Sequence, residues 1–349
     1  MRIALAVTGG VDPSGERFVI PALLALIERL ARTHDVHVFA LQKERQPSTY
    51  RLLGATVHDL GSPPGLWRQG QALLAELRAL GPFDVVHGYW ALPAGVAAVY
   101  AGRRLGVPAI VTCDSGEFAR VDDIGYGLQL HGKPRLAVRL ATSLAARVTV
   151  CSEYQQRLAR ACGVAASLLP LGVDRDRFTP PATPPADGPP WRLIQVANLN
   201  PVKDQATLLA AVGRLVQRES RLHLDLVGVD TLDGRIQALA RDLGLDNRVT
   251  FHGSLTTSAL VPLYQRAHLA VLTSRHEAAG VVTLEAAACG VPTVGTAVGV
   301  VHDWAPEAAV ACAPPVAVVA ATEPETLMDT SPSPATATFV PAASPSAFQ

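Results

Sequence analysis

The sequence predicts an α/β protein made of two doubly wound domains, each a mostly parallel sheet with helices on both faces. Three observations predict it. The chain has 349 residues, enough for two α/β domains with a core in each. Short β-rich apolar runs alternate with longer segments of helical period. That alternation stops at a proline-rich stretch and then starts again, as a second copy of the same architecture would.

In chain order, Ile3 to Val7 reads as a first strand, Phe18 to Leu30 as a helix and Val36 to Leu41 as a second strand. Val85-Val86, Ala109 to Thr112 and Val148 to Val150 supply further strands. Residues 179–190 hold six prolines and cannot continue a helix, so an extended connection is expected there. The pattern resumes with strand Arg192 to Val196, helix Gln205 to Val216 and strand Leu222 to Val227. Helix Arg235 to Leu243, strand Val249 to Phe251, helix Ser258 to Ala267 and strand Leu269 to Leu272 follow. The last 36 residues, 314–349, contain seven prolines, three acids and no base, and predict a disordered tail.

Thirty Lys and Arg balance thirty Asp and Glu, so no overall field would draw in nucleic acid, and an anionic ligand must be met by a local cluster. The five cysteines, Cys113, Cys151, Cys162, Cys289 and Cys312, form no C-x-x-C pair and fit reduced thiols in the cytoplasm. No metal site is expected. The N-terminus reads as a strand and not as a signal peptide, and Arg103 and Arg104 break the apolar stretch Ala91 to Val111. Helix-forming Lys133 to Leu140 mixes bases with apolar residues, a pattern compatible with peripheral contact at the inner face of the membrane.

The chemistry concentrates in Ser274 to Pro292. A strand feeds a small-residue turn, which opens a helix ending at Gly290 before Pro292. Free N–H groups at that helix start favour a phosphate or diphosphate, and Gly280 permits close backbone approach. Glu277 before the helix and Glu285 within it offer two carboxylates to different parts of one elongated ligand, the usual way to hold a ribose or a hexose.

Glu277 and Glu285, with seven residues between them, followed by Ala286 and Cys289-Gly290-Val291-Pro292, resemble the E-x7-E signature of family 4 glycosyltransferases, which retain configuration and have the GT-B fold. Other family landmarks stand in order: Gly9-Gly10, Cys151-Ser152-Glu153, Gly172-Val173-Asp174 with Phe178, and Lys203. The resemblance implies two Rossmann-like domains facing a cleft: an acceptor-side domain over residues 1–178, the linker 179–190, and a donor-binding domain over residues 191–313. It implies transfer of a sugar from a UDP- or GDP-linked donor to a hydroxyl acceptor, with no cofactor and no metal. By the same resemblance Glu277 contacts the donor sugar, Glu285 the ribose, and the backbone of Ala279, Gly280, Val281 and Val282 the diphosphate. Lys203 supplies positive charge to the leaving diphosphate, and Gly9 and Gly10, in the loop beside the cleft, suit close approach to donor or acceptor and are expected among the donor-binding residues.

The chain departs from that pattern in three places. Asn198 stands where many relatives carry an arginine, and Arg275 is the residue able to compensate. Asp114, in Asp114-Ser115-Gly116-Glu117, stands near the position of a histidine in relatives and could hold a sugar hydroxyl. Beyond Ala311 the expected strand and helix give way to the proline-rich tail. The alternative is therefore a catalytically degenerate sugar-nucleotide-binding protein or a truncated product.

Overall fold

The computed structural model describes residues 1–16, 19–41, 46–61 and 63–312. The first half contains strands β1 (Arg2–Val7), β2 (Asp35–Ala40), β3 (Ser48–Leu52), β4 (Ala55–Asp59), β5 (Val85–Tyr89), β6 (Ala109–Cys113), β7 (Arg147–Val150) and β8 (Ser167–Leu168). Its helices are α1 (Pro21–Ala31), α2 (Leu66–Leu80), α3 (Val96–Leu105), α4 (Gly132–Leu144) and α5 (Glu153–Ala161). These strands form one eight-stranded sheet in the order β3-β4-β2-β1-β5-β6-β7-β8. All its neighbours run parallel except the β3–β4 pair, an antiparallel hairpin at the edge.

The continuous apolar run of β1 is explained by cover on both faces. Ala4 and Ala6 enter one core with α2 and α3 residues such as Leu73, Leu77 and Ala98. Leu5 and Val7 enter the other, with Leu23 and Ile27 of α1. Helix α1 starts with Pro21 as its first residue, whose missing N–H would be unsatisfied there in any case. The helix expected from Phe18 thus begins three residues later, and Phe18 itself lies outside the described residues.

The second half contains β9 (Trp191–Val196), α6 (Gln205–Val216), β10 (Leu222–Val227), α7 (Arg235–Asp242), β11 (Val249–Phe251), α8 (Thr257–Arg266) and β12 (Leu269–Leu272). It continues through α9 (Val281–Ala288), β13 (Thr293–Thr296), α10 (Gly299–Trp304) and β14 (Val310–Cys312). The six strands are ordered β11-β10-β9-β12-β13-β14, all parallel. This is the Rossmann order, reversing between β9 and β12, and the crevice outside the carboxyl ends of those two strands is where such sheets take ligands. Residues 179–190, between the two sheets, carry no helix or strand. The tail predicted over residues 314–349 lies outside the described residues.

Several contacts join the two halves. Ser152 caps α5 by accepting from the Gln155 amide at 3.0 Å, and its hydroxyl also donates to the Ala278 carbonyl. Asp303, at the end of α10, accepts from the amides of Glu153 and Tyr154 at 2.7 and 2.9 Å, so a second cap for α5 comes from the other sheet. Arg275 forks onto Asp123 at 2.9 and 3.0 Å, and Arg157 meets His302.

Candidate active site

The crevice at the β9/β12 reversal is built from two loops and one helix end. After β9 the chain runs through Asn198 to Asp204, which takes a left-handed conformation (φ 49°) and caps α6 by accepting from the Thr207 amide at 3.2 Å. This turn delivers Lys203 to the crevice. The Thr273 hydroxyl, just past β12, donates toward the carbonyls of Lys203 and Asp204 at 2.9 and 3.0 Å, and the Arg275 amide donates to the Val202 carbonyl at 2.7 Å. The two loops are therefore fixed to each other by the Thr273 hydroxyl and a backbone bond, independent of their charged side chains.

The Lys203 ammonium forms an ion pair with the Glu277 carboxylate, which also accepts from the Ser274 hydroxyl at 2.6 Å. Both ion-pair partners are largely shielded, with side chains 24% and 11% exposed. That shielding makes the pair stronger than one on the surface and makes removal of one partner costly.

Beyond Glu277 the chain turns at Gly280 (φ 79°) into α9, whose first amides, including those of Val281 and Val282, have no partner within the helix. The helix stops at Gly290 (φ 77°), whose amide bonds to the Ala287 carbonyl while the Val291 amide bonds to the Ala286 carbonyl, as a left-handed cap does. Glu285, on the inner face of α9, is buried and accepts from the Tyr264 hydroxyl at 3.1 Å. Burial raises its pKa to about 7, and the tyrosine hydrogen bond opposes that rise. A solvated helix position for Glu285 is thereby excluded.

The remaining predicted residues are placed as follows. Asn198 is used locally: its side-chain oxygen accepts from the Val229 amide at 3.1 Å and its carbonyl from Gln205 at 3.2 Å. Arg275 reaches Asp123 of the first half and does not turn into the crevice to stand in for a missing arginine. Gly9 and Gly10 follow β1 in the first sheet, and Gly10 (φ 79°) accepts from the Ile20 amide at 3.0 Å. Asp114 lies at the end of β6, where its carboxylate accepts from the Tyr89 hydroxyl at 2.5 Å and burial raises its pKa.

Sequence reasoning did not single out His276, Tyr264 or Gly299. His276 is buried, its Nε2 lies 3.2 Å from the Ser115 carbonyl, and its ring lies near those of Tyr126 and Tyr154 at centroid distances of 5.7 and 5.8 Å. An imidazole therefore does reach the Asp114-Ser115 turn, but from the second half of the chain. Gly299 (φ 54°) has no room for a side chain: a Cβ would stand 2.3 Å from the Ala279 carbonyl oxygen. No group of three or more His, Cys, Asp or Glu side chains among the described residues is arranged to hold a metal ion.

Two Rossmann-like sheets joined in this way, with a helix end and paired carboxylates at the second crevice, are the architecture of a GT-B glycosyltransferase. Residues 177–325 match the family described as glycosyl transferases group 1, and residues 19–172 match the glycosyl transferase 4-like domain. The chain belongs to the family 4-like glycosyltransferases of GT-B fold.

Among similar proteins, D-inositol 3-phosphate glycosyltransferase of Geodermatophilus obscurus is 27% identical over 305 residues, covering 76% of this chain and 66% of that one. The GDP-mannose-dependent α-(1-6)-phosphatidylinositol monomannoside mannosyltransferase of Mycolicibacterium smegmatis is 28% identical over 292 residues, covering 78% and 75%. The chain spans 57% to 66% of the length of the D-inositol 3-phosphate glycosyltransferases it matches.

The fold is shared with sucrose-phosphate synthase from Thermosynechococcus elongatus, with a TM-score of 0.73 at 20% identity over 90% of this chain and 87% of that one. It is also shared with Anabaena HepE, solved in complex with UDP-glucose, with a TM-score of 0.68 at 20% identity over 90% and 86%.

Proposed function

We propose that this chain is a glycosyltransferase that moves a sugar, with retention and without a metal, from a UDP- or GDP-linked donor to a hydroxyl acceptor. The observation that carries this reading is the Lys203–Glu277 pair set beside the open end of α9, with Glu285 buried behind it, at the reversal point of the second sheet. The diphosphate sits on the amides of Gly280 to Val282, the sugar hydroxyls on Glu277, and the ribose on Glu285. When the sugar–oxygen bond to the diphosphate breaks, the leaving group gains negative charge, and Lys203 with the helix end stabilises it without reorganisation. The acceptor oxygen forms the new bond on the same face, and its proton passes to a diphosphate oxygen.

Calorimetric titration with UDP- and GDP-sugars tests the donor site. Glu285→Ala is expected to weaken the preferred donor by about 10-fold or more, the loss of a charge-assisted hydrogen bond from a shielded site. Unchanged affinity would remove the ribose assignment. The pH dependence follows from the same group. A carboxyl with a pKa of about 7 is mostly protonated at pH 6 and mostly ionised at pH 8. Affinity for UDP-glucose, whose diphosphate stays ionised over this range, is therefore expected to rise by about 10-fold across it if the ionised form is needed. A flat profile in the parent protein would contradict that requirement.

The acceptor side carries a second feature. On α4, Leu136, Leu140 and Leu144 are 59%, 50% and 41% exposed, one turn apart, beside Lys133, Arg135 and Arg139, and the helix has no acid. No helix among the described residues is long and apolar enough to cross a membrane. This face instead suits peripheral contact with an anionic bilayer at the cytoplasmic side. Sedimentation with phosphatidylglycerol vesicles is expected to carry the protein down, and phosphatidylcholine vesicles or the Leu136→Gln/Leu140→Gln variant are expected not to. Equal binding in all three cases would exclude α4 as the contact.

A further inference from the structure

The Lys203–Glu277 pair and the open end of α9 belong to the second half of the chain, yet the segment that carries Glu277 is seated on the first. Ser274 and Glu277 are joined by their hydroxyl-to-carboxylate bond beside the crevice, while the side chains of Arg275 and His276 reach across. His276 lies against the Ser115 carbonyl and the Tyr126 ring, and Arg275 forks onto Asp123 through two bonds at 2.9 and 3.0 Å. Such a fork fixes direction as well as distance. The backbone of Arg275 is held too, since its amide donates to the carbonyl of Val202, the residue before Lys203. One residue thus touches the loop of each ion-pair member and the opposite half of the chain.

The arm that receives Arg275 is braced by backbone bonds. It spans residues 115–130, after β6. Val121 and Tyr126 exchange both of their backbone bonds, at 2.8 and 3.1 Å, around a turn that presents Asp123 and contains Gly125 at φ 62°. At its base the amides of Leu128 and Gln129 donate to the carbonyls of Gly116 and Ala119 at 2.9 and 3.2 Å. Arg120, the nearest cation along the arm, is bound by Asp122 at 2.9 to 3.1 Å, which leaves Asp123 to Arg275.

An ion pair with one partner 37% exposed adds little to the stability of a fold. Its value here is geometric. Lys203 and Glu277 act on charge that develops only as the sugar leaves, so a small displacement of either costs rate without costing nucleotide affinity.

We propose that Arg275 and Asp123 are positioning residues for the transfer: their fork seats the Glu277 segment on the first half, and Lys203 and Glu277 stand in working register only while the halves are joined there. This inference rests on the transferase reading and adds the first half to the machinery of the donor site.

The test compares Arg275→Gln, Asp123→Asn and the double variant, each in the full chain. One measurement is the rate of nucleotide release at saturating UDP-glucose or GDP-mannose, whichever the parent turns over. The other is calorimetric affinity for the matching nucleoside diphosphate, which lacks the sugar that Glu277 meets. Each single variant is expected to release nucleotide about 10- to 100-fold more slowly, with diphosphate affinity within about 3-fold of the parent and a melting temperature within about 3 °C. The double variant is expected to be no more than about 3-fold slower than either single one, as for two groups acting through one contact. Arg120→Gln, which removes a neighbouring charge from the same arm, is expected to match the parent.

Parent-like release in both single variants, losses that multiply in the double variant, equal slowing in Arg120→Gln, or a loss of diphosphate affinity as large as the loss of rate would each overturn the positioning role and leave the transferase reading standing. A folded parent that fails to bind or to release nucleotide would take down the transferase reading and this inference with it.

Discussion

Lys203→Ala is expected to slow sugar release from the saturating donor by about 10²- to 10³-fold, the usual loss when one preorganised group facing developing charge is deleted. The measurement is the rate of nucleotide release from the preferred donor, which needs no knowledge of the acceptor. The structure adds a complication that a second variant resolves. Lys203 and Glu277 are paired in a shielded site, so removing the lysine also leaves the carboxylate with only the Ser274 hydroxyl and frees it to move. In the double variant Lys203→Ala/Glu277→Gln that stranded charge is gone. If the two residues act as one unit, the double variant should be slower than Lys203→Ala by far less than the Glu277→Gln factor measured alone. Strictly multiplicative losses would mean that the pair seen here is incidental to the reaction, and a rate within 3-fold of the parent in Lys203→Ala would remove the lysine from the chemistry.

The second large effect is expected at Gly299, a residue with no chemistry of its own. Its φ of 54° is strained for any other residue, and a Cβ would stand 2.3 Å from the Ala279 carbonyl oxygen and 3.0 Å from the Glu277 Cβ. The Ala279 carbonyl accepts from the Val300 amide at 2.8 Å, so α10 and the Glu277-to-Gly280 turn are one packed unit and cannot separate without losing that bond. Gly299→Ala should therefore displace the turn that carries Glu277, lowering donor affinity at least 10-fold and the melting temperature by several degrees, consistent with a local cost of about 1–3 kcal/mol. Ala297→Ser, two residues earlier, is the matched control and should change neither. Parent-like donor affinity in a folded Gly299→Ala protein would show that the turn tolerates displacement.

These two variants mark what the amino-acid pattern made readable. Parallel strands covered on both faces leave apolar runs, so β1, β9, β10 and β12 and the helices between them stood out. Glu277, Gly280 and Glu285 stood out as candidates by their spacing after β12, whereas Lys203, after β9, was singled out through the family resemblance. The β3–β4 hairpin was not. Its strand Ser48–Leu52 is mostly exposed, and its tight turn places Leu53 beside Gly54 at φ 47° and 86°, where an apolar residue gives no turn signal. Gly299, Tyr264 and His276 were also missed, for a different reason. Each acts through a neighbour distant in sequence: Ala279 for the glycine, Glu285 for the tyrosine and Ser115 for the histidine. Arg275 shows the converse, since its charge was legible while its partner, Asp123, was not.

The cap that Asp303 places on α5 has a consequence for how the chain holds together. Two of the amides at that helix start are satisfied by a carboxylate that belongs to the other sheet. A first half freed of the second would expose those donors, and a second half freed of the first would leave the acid with His302 beside it in place of two amides. Each half thus lends the other part of its stability, and heat or denaturant should melt both sheets in a single cooperative transition instead of one after the other.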